Sequence, residues 1–396
     1  MISSRFAAPA RQAIGPDAGG DQTGRDGEPI LAQSLPLVSV IVPAYNAEAT
    51  LSETLASVAA QTYRNLEIVV VDDGSTDQTR EIATRFAATD ARARVVSIPN
   101  GGVAVARNTG AAASSGPFLA PIDADDLWHP RYLETLVGLM LTAPQPPAFA
   151  YAACRLIDSG SNVIGSGLNA GSAGKVVYRM LFNNLVGNGS GMVIARTAFD
   201  AVGGYDARLH AAGCQGCEDY LLQLMLAEQG PVCAAGQFLI GYRKLDGAMS
   251  RDVESMAASR RMARRLHAHA FPHVVPPPWL DRWIRALELI AIARNDWSAG
   301  RRGPAARTLG RVMLMDPPAT IAVLSSRIRS AVRNRRAPPK GARVGFLELD
   351  PFGRDRDAPG VHPATNPFMR LQLKRLKRVA TLDRSPSLGG DQVALD

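Results

Sequence analysis

The 396-residue chain has four cysteines, 6% aromatic residues and very little lysine. No apolar stretch approaches the about 18 residues that a membrane-spanning helix needs. Each shortage excludes something. Four cysteines are too sparse for a disulfide-stapled scaffold and point to a reducing, cytoplasmic-type compartment. The first 36 residues lack the apolar core of a secretory signal. The expected location is therefore cytoplasmic, with room for peripheral contact at the cytoplasmic face of an inner membrane. No internal repeat is evident, so a solenoid is not expected. What is present is an ordinary apolar fraction, 46% hydrophobic against 20% charged. That argues against wholesale disorder and suffices for one large or two ordinary domains.

The net charge of +8 is unevenly spread. Residues 1–259 carry −7, residues 260–345 carry +14 and residues 346–396 carry +1. The basic pI of 9.6 thus belongs to one segment, and the larger N-terminal part is acidic. Acidic strand ends would repel phosphate backbones and no nucleic-acid module is recognisable, so nucleic acid is not an expected partner. The scarcity of lysine beside abundant arginine and alanine is also what a GC-rich genome produces.

Glycines and prolines among polar residues make 1–36 a leader without periodicity. From Leu37 short apolar runs alternate with helical patterns: Val38 to Val42, a helix over about Ala47 to Gln61, Leu66 to Val71, a helix after Ser75, and Val95 to Ile98. Continuous rather than alternating apolar runs predict parallel strands buried on both faces. Shorter strands follow beyond about residue 145 (Ala148 to Leu156, Gly191 to Ala195, Val232 to Tyr242), with a helix near Glu218 to Glu228. Helical patterns over roughly 280–295, 303–315 and 318–335 come after Pro276-Pro277-Pro278, and a basic amphipathic stretch spans Phe368 to Val379. The expected divisions are a leader (1–36), an α/β domain (37–255), a basic helical annex (256–345) and a weakly structured tail (346–396).

Ligands of open parallel sheets sit beyond the carboxyl ends of the strands, and four such ends are chemically loaded. Pro43-Ala44-Tyr45-Asn46-Ala47-Glu48 offers an aromatic ring and an amide that could hold a planar group. Asp72-Asp73-Gly74-Ser75-Thr76-Asp77 puts two carboxylates at a strand tip. Helix capping accounts for Ser75, Thr76 and Asp77, but not for the adjacent acids. Gly101-Gly102 opens a small-residue helix containing Arg107 and Asn108, where an arginine in apolar surroundings requires an anionic partner. Asp123-Ala124-Asp125-Asp126 follows the run Pro117 to Ile122; oxygen ligands in this setting suit Mg²⁺ or Mn²⁺ shared with substrate phosphates.

This ordered series resembles the family 2 glycosyltransferases of the GT-A fold, with their V-P-x-Y-N, D-D-G-S-T-D, G-x-x-x-A-R-N-x-G and D-A-D-D runs. The resemblance continues through Asn188-Gly189-Ser190, Arg196, the segment Ala198 to Asp206, the pair Glu218-Asp219, and Tyr242-Arg243 with Met249-Ser250. It covers about residues 37–251. It implies a Rossmann-like mixed sheet with flanking helices, followed here by the basic helical region. It also implies an inverting enzyme that moves a sugar from a nucleotide-diphosphate sugar to an acceptor hydroxyl, as in bacterial polysaccharide, lipopolysaccharide or glycolipid synthesis. By the same resemblance Pro43, Tyr45, Asn46, Glu48, Asp72, Asp73 and Arg107 belong to the nucleotide-sugar site. Asp123 would face the ribose or sugar and, with Asp125, the Mn²⁺ or Mg²⁺; Asp219, with Glu218 beside it, would be the base.

One departure stands out. The family's closing element often carries a histidine where this chain has Leu245, which leaves Arg243, Lys244 or the distant His210 as candidates to meet the diphosphate. Cys214 and Cys217 have half of a zinc spacing without a second pair, and loop packing accounts for them. Two other readings are a catalytically weak sugar-nucleotide scaffold, opposed by the retained Glu218-Asp219, and a nucleotidyltransferase, to which the arginine helix and the acidic pair do not belong. The arginines of residues 280–336 form either a solvated face or a surface resting on anionic lipid, where each cation contributes about 1 kcal/mol. The acceptor that the resemblance implies is a saccharide or a lipid-linked saccharide.

Overall fold

The computed structural model describes residues 35–166, 171–214, 216–245, 252–334 (backbone only from 327), 344–351 and 366–384. The expected leader, Met249-Ser250 and the arginines at 327, 329, 333, 335 and 336 fall outside the described residues or side chains. From Pro36 onward the chain forms one compact unit.

The first half alternates as its apolar runs require. Strand β1 (Val38–Ala44), helix α1 (Leu51–Ala59), β2 (Leu66–Asp72), α2 (Thr79–Thr89), β3 (Ala93–Ser97), α3 (Val103–Ala112) and β4 (Phe118–Pro121) build a parallel sheet in the order β3-β2-β1-β4. All seven residues of β1 are buried, because both faces are covered. Val38, Val40 and Val42 pack with Leu51, Leu55 and Val58 of α1, while Ile41 on the opposite face meets the cluster containing Ala104 and Ala111 of α3. Small residues let α3 lie close to the sheet: a Cβ on Gly110 would sit 2.5 Å from Ile41 and 3.2 Å from Val71. Helix α1 starts four residues later than the periodicity predicts, since Asn46 to Thr50 form a loop tied to the β2–α2 turn. Ala47 N–H donates to Thr79 Oγ1 at 2.7 Å and Glu48 N–H to Asp77 at 3.1 Å.

The second half turns the sheet mixed. After β5 (Leu127–Trp128) and α4 (Tyr132–Thr142) come β6 (Phe149–Ile157), β7 (Val163–Ser166), α5 (Val177–Phe182), β8 (Met192–Ala195), α6 (Arg196–Ala201), α7 (Arg208–Ala211), α8 (Glu218–Gln229) and β9 (Val232–Arg243). The order continues β4-β8-β6-β9-β5, with β7 added at β6. Strand β8 is antiparallel to β4 and β6, β9 is parallel to β6, and β5 is antiparallel to β9. The two-residue β5 therefore depends on a strand more than a hundred residues later.

Helices α9 (Val253–Ala270), α10 (Pro278–Ser298), α11 (Arg302–Met315), α12 (Pro317–Asn334) and α13 (Pro367–Val379) complete the unit. Asp252 caps α9, accepting from Ser255 N–H at 3.0 Å. Ala263 of α9 and Leu280 and Ile284 of α10 enter the same core as α5 and α8. The described parts of the last fifty residues return to earlier elements. Phe346, 1% exposed, packs on Leu127, Ile157 and Val163. The basic stretch of α13 points part of its charge inward: Arg375 grips Asp316 through two bonds of 2.6 Å and stacks 4.4 Å over Trp283. Among the described residues no helix is long and apolar enough to cross a membrane.

Candidate active site

The loops beyond the carboxyl ends of β1, β2 and β4 face α7, α8 and the end of β9 across a cleft of about 1010 Å³. Pro43, Tyr45, Asn46, Asp73, Arg107, Asp123, Asp125, Glu218 and Asp219 line it, so nine positions drawn from five separate motifs converge. Asp72 and Glu48 stand apart from the lining. Asp72 is buried and accepts from Ser75 N–H at 3.1 Å; Glu48 accepts from Gln78 N–H at 3.0 Å. Both hold turns together.

The first two tips form a shelf. Asp73 accepts from the backbone N–H groups of Gly101 and Gly102 at 2.8 and 2.9 Å, which answers how a second carboxylate is tolerated beside Asp72. Gly102 is required in that turn: its φ is +84°, and a Cβ would lie 3.0 Å from the ring of His210. Asn46, itself at φ 47°, accepts from Thr76 N–H at 2.9 Å and so joins the β1 and β2 loops. Tyr45 remains half exposed over this shelf, 52%, as a free planar surface.

The acidic loop after β4 is braced from behind. Asp126 is fully buried, accepting from Ser190 Oγ at 2.6 Å and from Arg243 N–H at 2.9 Å. Burial, with the charges of Asp125 and Asp123, pushes its carboxyl well above the usual range. The Arg243 guanidinium donates to the carbonyls of Asp125, Asp158 and Ser159, to Ser161 Oγ and to Glu53. Arg243 is therefore committed to the loop's architecture. Arg243 lines the cleft, as Lys244 and His210 do, but its guanidinium N–H groups are taken up by these acceptors.

Asp123 and Asp125 remain on the cleft side. Burial and the neighbouring Asp123 charge push Asp125 up to about 6, a penalty that a bound cation would reverse. Among the described residues no three carboxylate, thiol or imidazole groups come together as a cage for a metal. Two carboxylates suit a Mg²⁺ or Mn²⁺ that completes its shell with water and substrate phosphate.

Arg107 joins the two walls. It is 2% exposed, pairs with Asp123, and donates from Nη1 to Glu218 at 2.9 Å while its guanidinium carbon lies 5.0 Å from the centre of the Tyr205 ring. Burial opposes its charge, but Asp123, Glu218 and Asp219 overcome that and hold its pKa well above the ordinary value. Its predicted need for an anionic partner is thus met inside the protein. A Cβ on Gly189 would fall into this pair, 2.9 Å from Asp123 Oδ2, which explains the glycine of Asn188-Gly189-Ser190. Asp219, at the start of α8, accepts from Tyr220 N–H at 2.6 Å. Burial and the adjacent Glu218 charge raise its pKa to about 7, against the opposing pull of Arg107.

None of the four cysteines forms a disulfide. Burial and the Asp219 charge push the Cys217 thiol up to about 12, and its Sγ lies 3.9 Å from Met256 O, so it packs the loop before α8. The bracing roles of Asp126, Ser190 and Arg243 were missed in the sequence; an isolated arginine ending a buried strand was the available signal.

A mixed sheet in this order, with a carboxylate-lined cleft at the carboxyl ends of its parallel strands, has the GT-A architecture. The chain shares it with S. aureus TarS 1-349, solved in complex with UDP-GlcNAc, at a TM-score of 0.51 and 20% identity over 76% of this chain and 87% of that one. Residues 39–201 match the model of Glycosyl transferase family 2. Relatives include the Escherichia coli UDP-Glc:alpha-D-GlcNAc-diphosphoundecaprenol beta-1,3-glucosyltransferase WfgD, 37% identical over 149 residues, or 37% of this chain and 56% of the relative. Another is the uncharacterized glycosyltransferase EpsJ of Bacillus subtilis, 46% identical over 92 residues, 23% of this chain and 27% of the relative. The Streptococcus pneumoniae glycosyltransferase GlyA is 46% identical over 99 residues, 25% of this chain and 14% of the relative. The matches thus span about half or less of these relatives' lengths.

Proposed function

We propose that the protein is an inverting glycosyltransferase that takes a sugar from a nucleotide-diphosphate donor and passes it to an acceptor hydroxyl in cell-envelope polysaccharide or glycolipid synthesis. The observation that carries this reading is the convergence of Asp73, Asp123, Asp125 and Asp219 on one cleft, with Asp219 poised near neutral pH. Tyr45 offers its exposed ring to the base, and Asp73 with Asn46 shapes the shelf beneath it. Asp123 and Asp125 would hold Mn²⁺ or Mg²⁺, which supplies positive charge to the departing nucleoside diphosphate. Lys244 is a fixed cation available to the same phosphates. Asp219 takes the proton from the acceptor hydroxyl as the new bond to the anomeric carbon forms and the bond to the phosphate oxygen breaks. The nucleoside diphosphate leaves with the electron pair on the opposite face, so the configuration inverts.

The test is nucleoside-diphosphate release across a panel of nucleotide sugars with Mn²⁺ or Mg²⁺, together with donor binding, for wild type, Asp125→Ala and Asp219→Ala. The expected result is chelator-sensitive donor binding that is lost with Asp125 and kept with Asp219, with turnover lost in both. Donor binding indifferent to chelator, or full turnover without Asp219, overturns the mechanism.

The helical region supports a peripheral role at an anionic membrane surface. Arg307, Arg311 and Leu314 follow one another on the exposed side of α11, with Leu314 89% exposed, and Ile321 and Leu324 are exposed on α12. Arg301 is less available, since it pairs with Asp296 at 2.7 Å.

A further inference from the structure

Residues 344–351 lie far beyond the family-matched segment, which ends at residue 201, yet they return to the sheet behind the acidic loop. Val163 N–H donates to Val344 O at 3.0 Å, and Gly345 pairs with Asn162. Arg155 of β6 donates to Asp350 O at 2.9 Å, and Phe238 N–H of β9 to Pro351 O at 3.0 Å. These bonds make the segment a strap over β6, β7 and β9. Phe346 is its anchor. The ring packs with Leu127, Ile157 and Val163, and β9 leaves space for it at Gly241, where a Cβ would lie 3.1 Å from the ring. Leu127 is the β5 partner of Gly241. The ring is thus lodged against the residue that follows Asp126 and against that residue's own partner strand.

Phe346 also holds the turn on which Arg243 depends. Its N–H donates to Ser161 O at 3.0 Å. Ser161 has a φ of +63°, in the left-handed region that a non-glycine residue keeps only where its surroundings hold it there. From the other side of that turn Arg243 Nη1 donates to Asp158 O, Ser159 O and Ser161 Oγ, each at 3.1 Å. The same arginine donates from Nε to Asp125 O at 2.7 Å and from its backbone N–H to Asp126 at 2.9 Å. Two routes therefore run from one phenylalanine to the acidic loop. One is packing through Leu127, and the other is hydrogen bonding through Ser161 and Arg243.

We infer that Phe346 is a positioning residue for donor binding: by seating Leu127 and the turn 158–161 it fixes Asp123 and Asp125 on the cleft wall, while itself lying outside the cleft lining. The inference rests on the transfer reading and extends the donor site to a C-terminal strap. A strap that only adds buried area stabilises the fold as a whole, whereas one that positions the loop changes how the donor is held. The two differ in kinetics. Lost fold lowers the concentration of active enzyme, so apparent kcat drops at constant KM; a loosened loop raises KM for the donor.

The test measures nucleoside-diphosphate release at varied donor concentration, and amide hydrogen exchange of the full chain without donor, for wild type, Phe346→Ala, Phe346→Leu, Gly241→Ala and Leu347→Ala. Phe346→Ala is expected to raise KM for the donor about tenfold with kcat within about twofold. Exchange over residues 122–128 and 158–162 should quicken about tenfold while β1 and β2 keep theirs. Phe346→Leu restores most of the apolar contact and should recover most of both. Gly241→Ala displaces the ring from the opposite side and should reproduce the change, which carries the test if Phe346→Ala does not fold. Leu347, 54% exposed on the same strap, should be silent when cut to alanine. A drop in kcat at unchanged KM, or exchange that rises equally in β1 and in the acidic loop, overturns the inference. So does unchanged exchange over 122–128 in both Phe346→Ala and Gly241→Ala. A wild-type chain that releases nucleoside diphosphate from no donor would overturn the transfer reading instead, and the exchange result would still decide whether the strap holds the loop.

Discussion

Arg107 reaches Glu218 across 111 residues of sequence, at 2.9 Å and with the arginine 2% exposed. Its other terminal nitrogen holds Asp123, so one buried guanidinium ties the donor-side acidic loop to the helix that begins with the proposed base. Removing one partner of a buried pair leaves the others uncompensated and costs about 3–5 kcal/mol. Arg107→Ala is therefore expected to lower stability by that amount in urea unfolding. Arg107→Lys keeps a charge but loses the fork that meets two carboxylates at once, so it should recover only part of the loss. A change below about 1 kcal/mol in Arg107→Ala would mean that the tie is not formed in solution.

Asp219 sets the expected pH profile. Its pKa is raised to about 7, and the base works as the carboxylate, so kcat should rise with pH, about tenfold per unit below 7, and level off above it. The stability linkage has the opposite sign. A raised carboxyl pKa favours the folded state while the group is protonated, and that contribution is lost as pH rises through about 7. Asp219→Asn should lower kcat by about 10²- to 10⁴-fold and abolish the acid limb of whatever rate remains. An unchanged limb in that variant would assign the titration to another group.

Gly189 tests the same region by volume alone. A methyl group there collides with the Arg107–Asp123 pair, so Gly189→Ala is expected to cost about 1–3 kcal/mol and to raise KM for the donor. Thermal unfolding and steady-state kinetics on one preparation would check both. By comparison, nothing lies within 4 Å of a Cβ at Gly310, and Gly310→Ala should be neutral or slightly stabilising.

The exposed helical face predicts binding to vesicles. Sedimentation with phosphatidylglycerol-rich liposomes should capture the protein, and neutral phosphatidylcholine should not. Leu314→Glu with Ile321→Glu should release it, and about 0.5 M salt should weaken it. Equal binding to both vesicle types would remove the proposed role of the arginines.

Much of this was legible in the residues. The continuous apolar runs of β1 and β2 demanded a sheet covered on both sides, and each carboxylate-bearing strand end marked part of the cleft. The use of each residue was harder to read. Asp72, Glu48 and Asn46 also accept from backbone N–H groups of Ser75, Gln78 and Thr76, a turn-holding part that spacing does not reveal, since the donors to Glu48 and Asn46 lie thirty residues away. Arg243 looked like a free cation, and its guanidinium donates to five acceptors drawn from three chain segments. The inward turn of Arg375 follows from Asp316 and Trp283, neither of which periodicity in α13 can reveal.

Arg243 has one more consequence, for the order in which the protein is made. The acidic loop is finished at residue 126, yet its buried Asp126 accepts from the Arg243 backbone, and among the described residues β5 pairs only with β9. A nascent chain that has emerged through the family-matched segment, ending at residue 201, holds every donor-side carboxylate and lacks the strand that seats them. The proposed donor site is therefore completed late in synthesis. At that stage the acceptor side, with Glu218 and Asp219 already emerged, is ready to assemble in the same event.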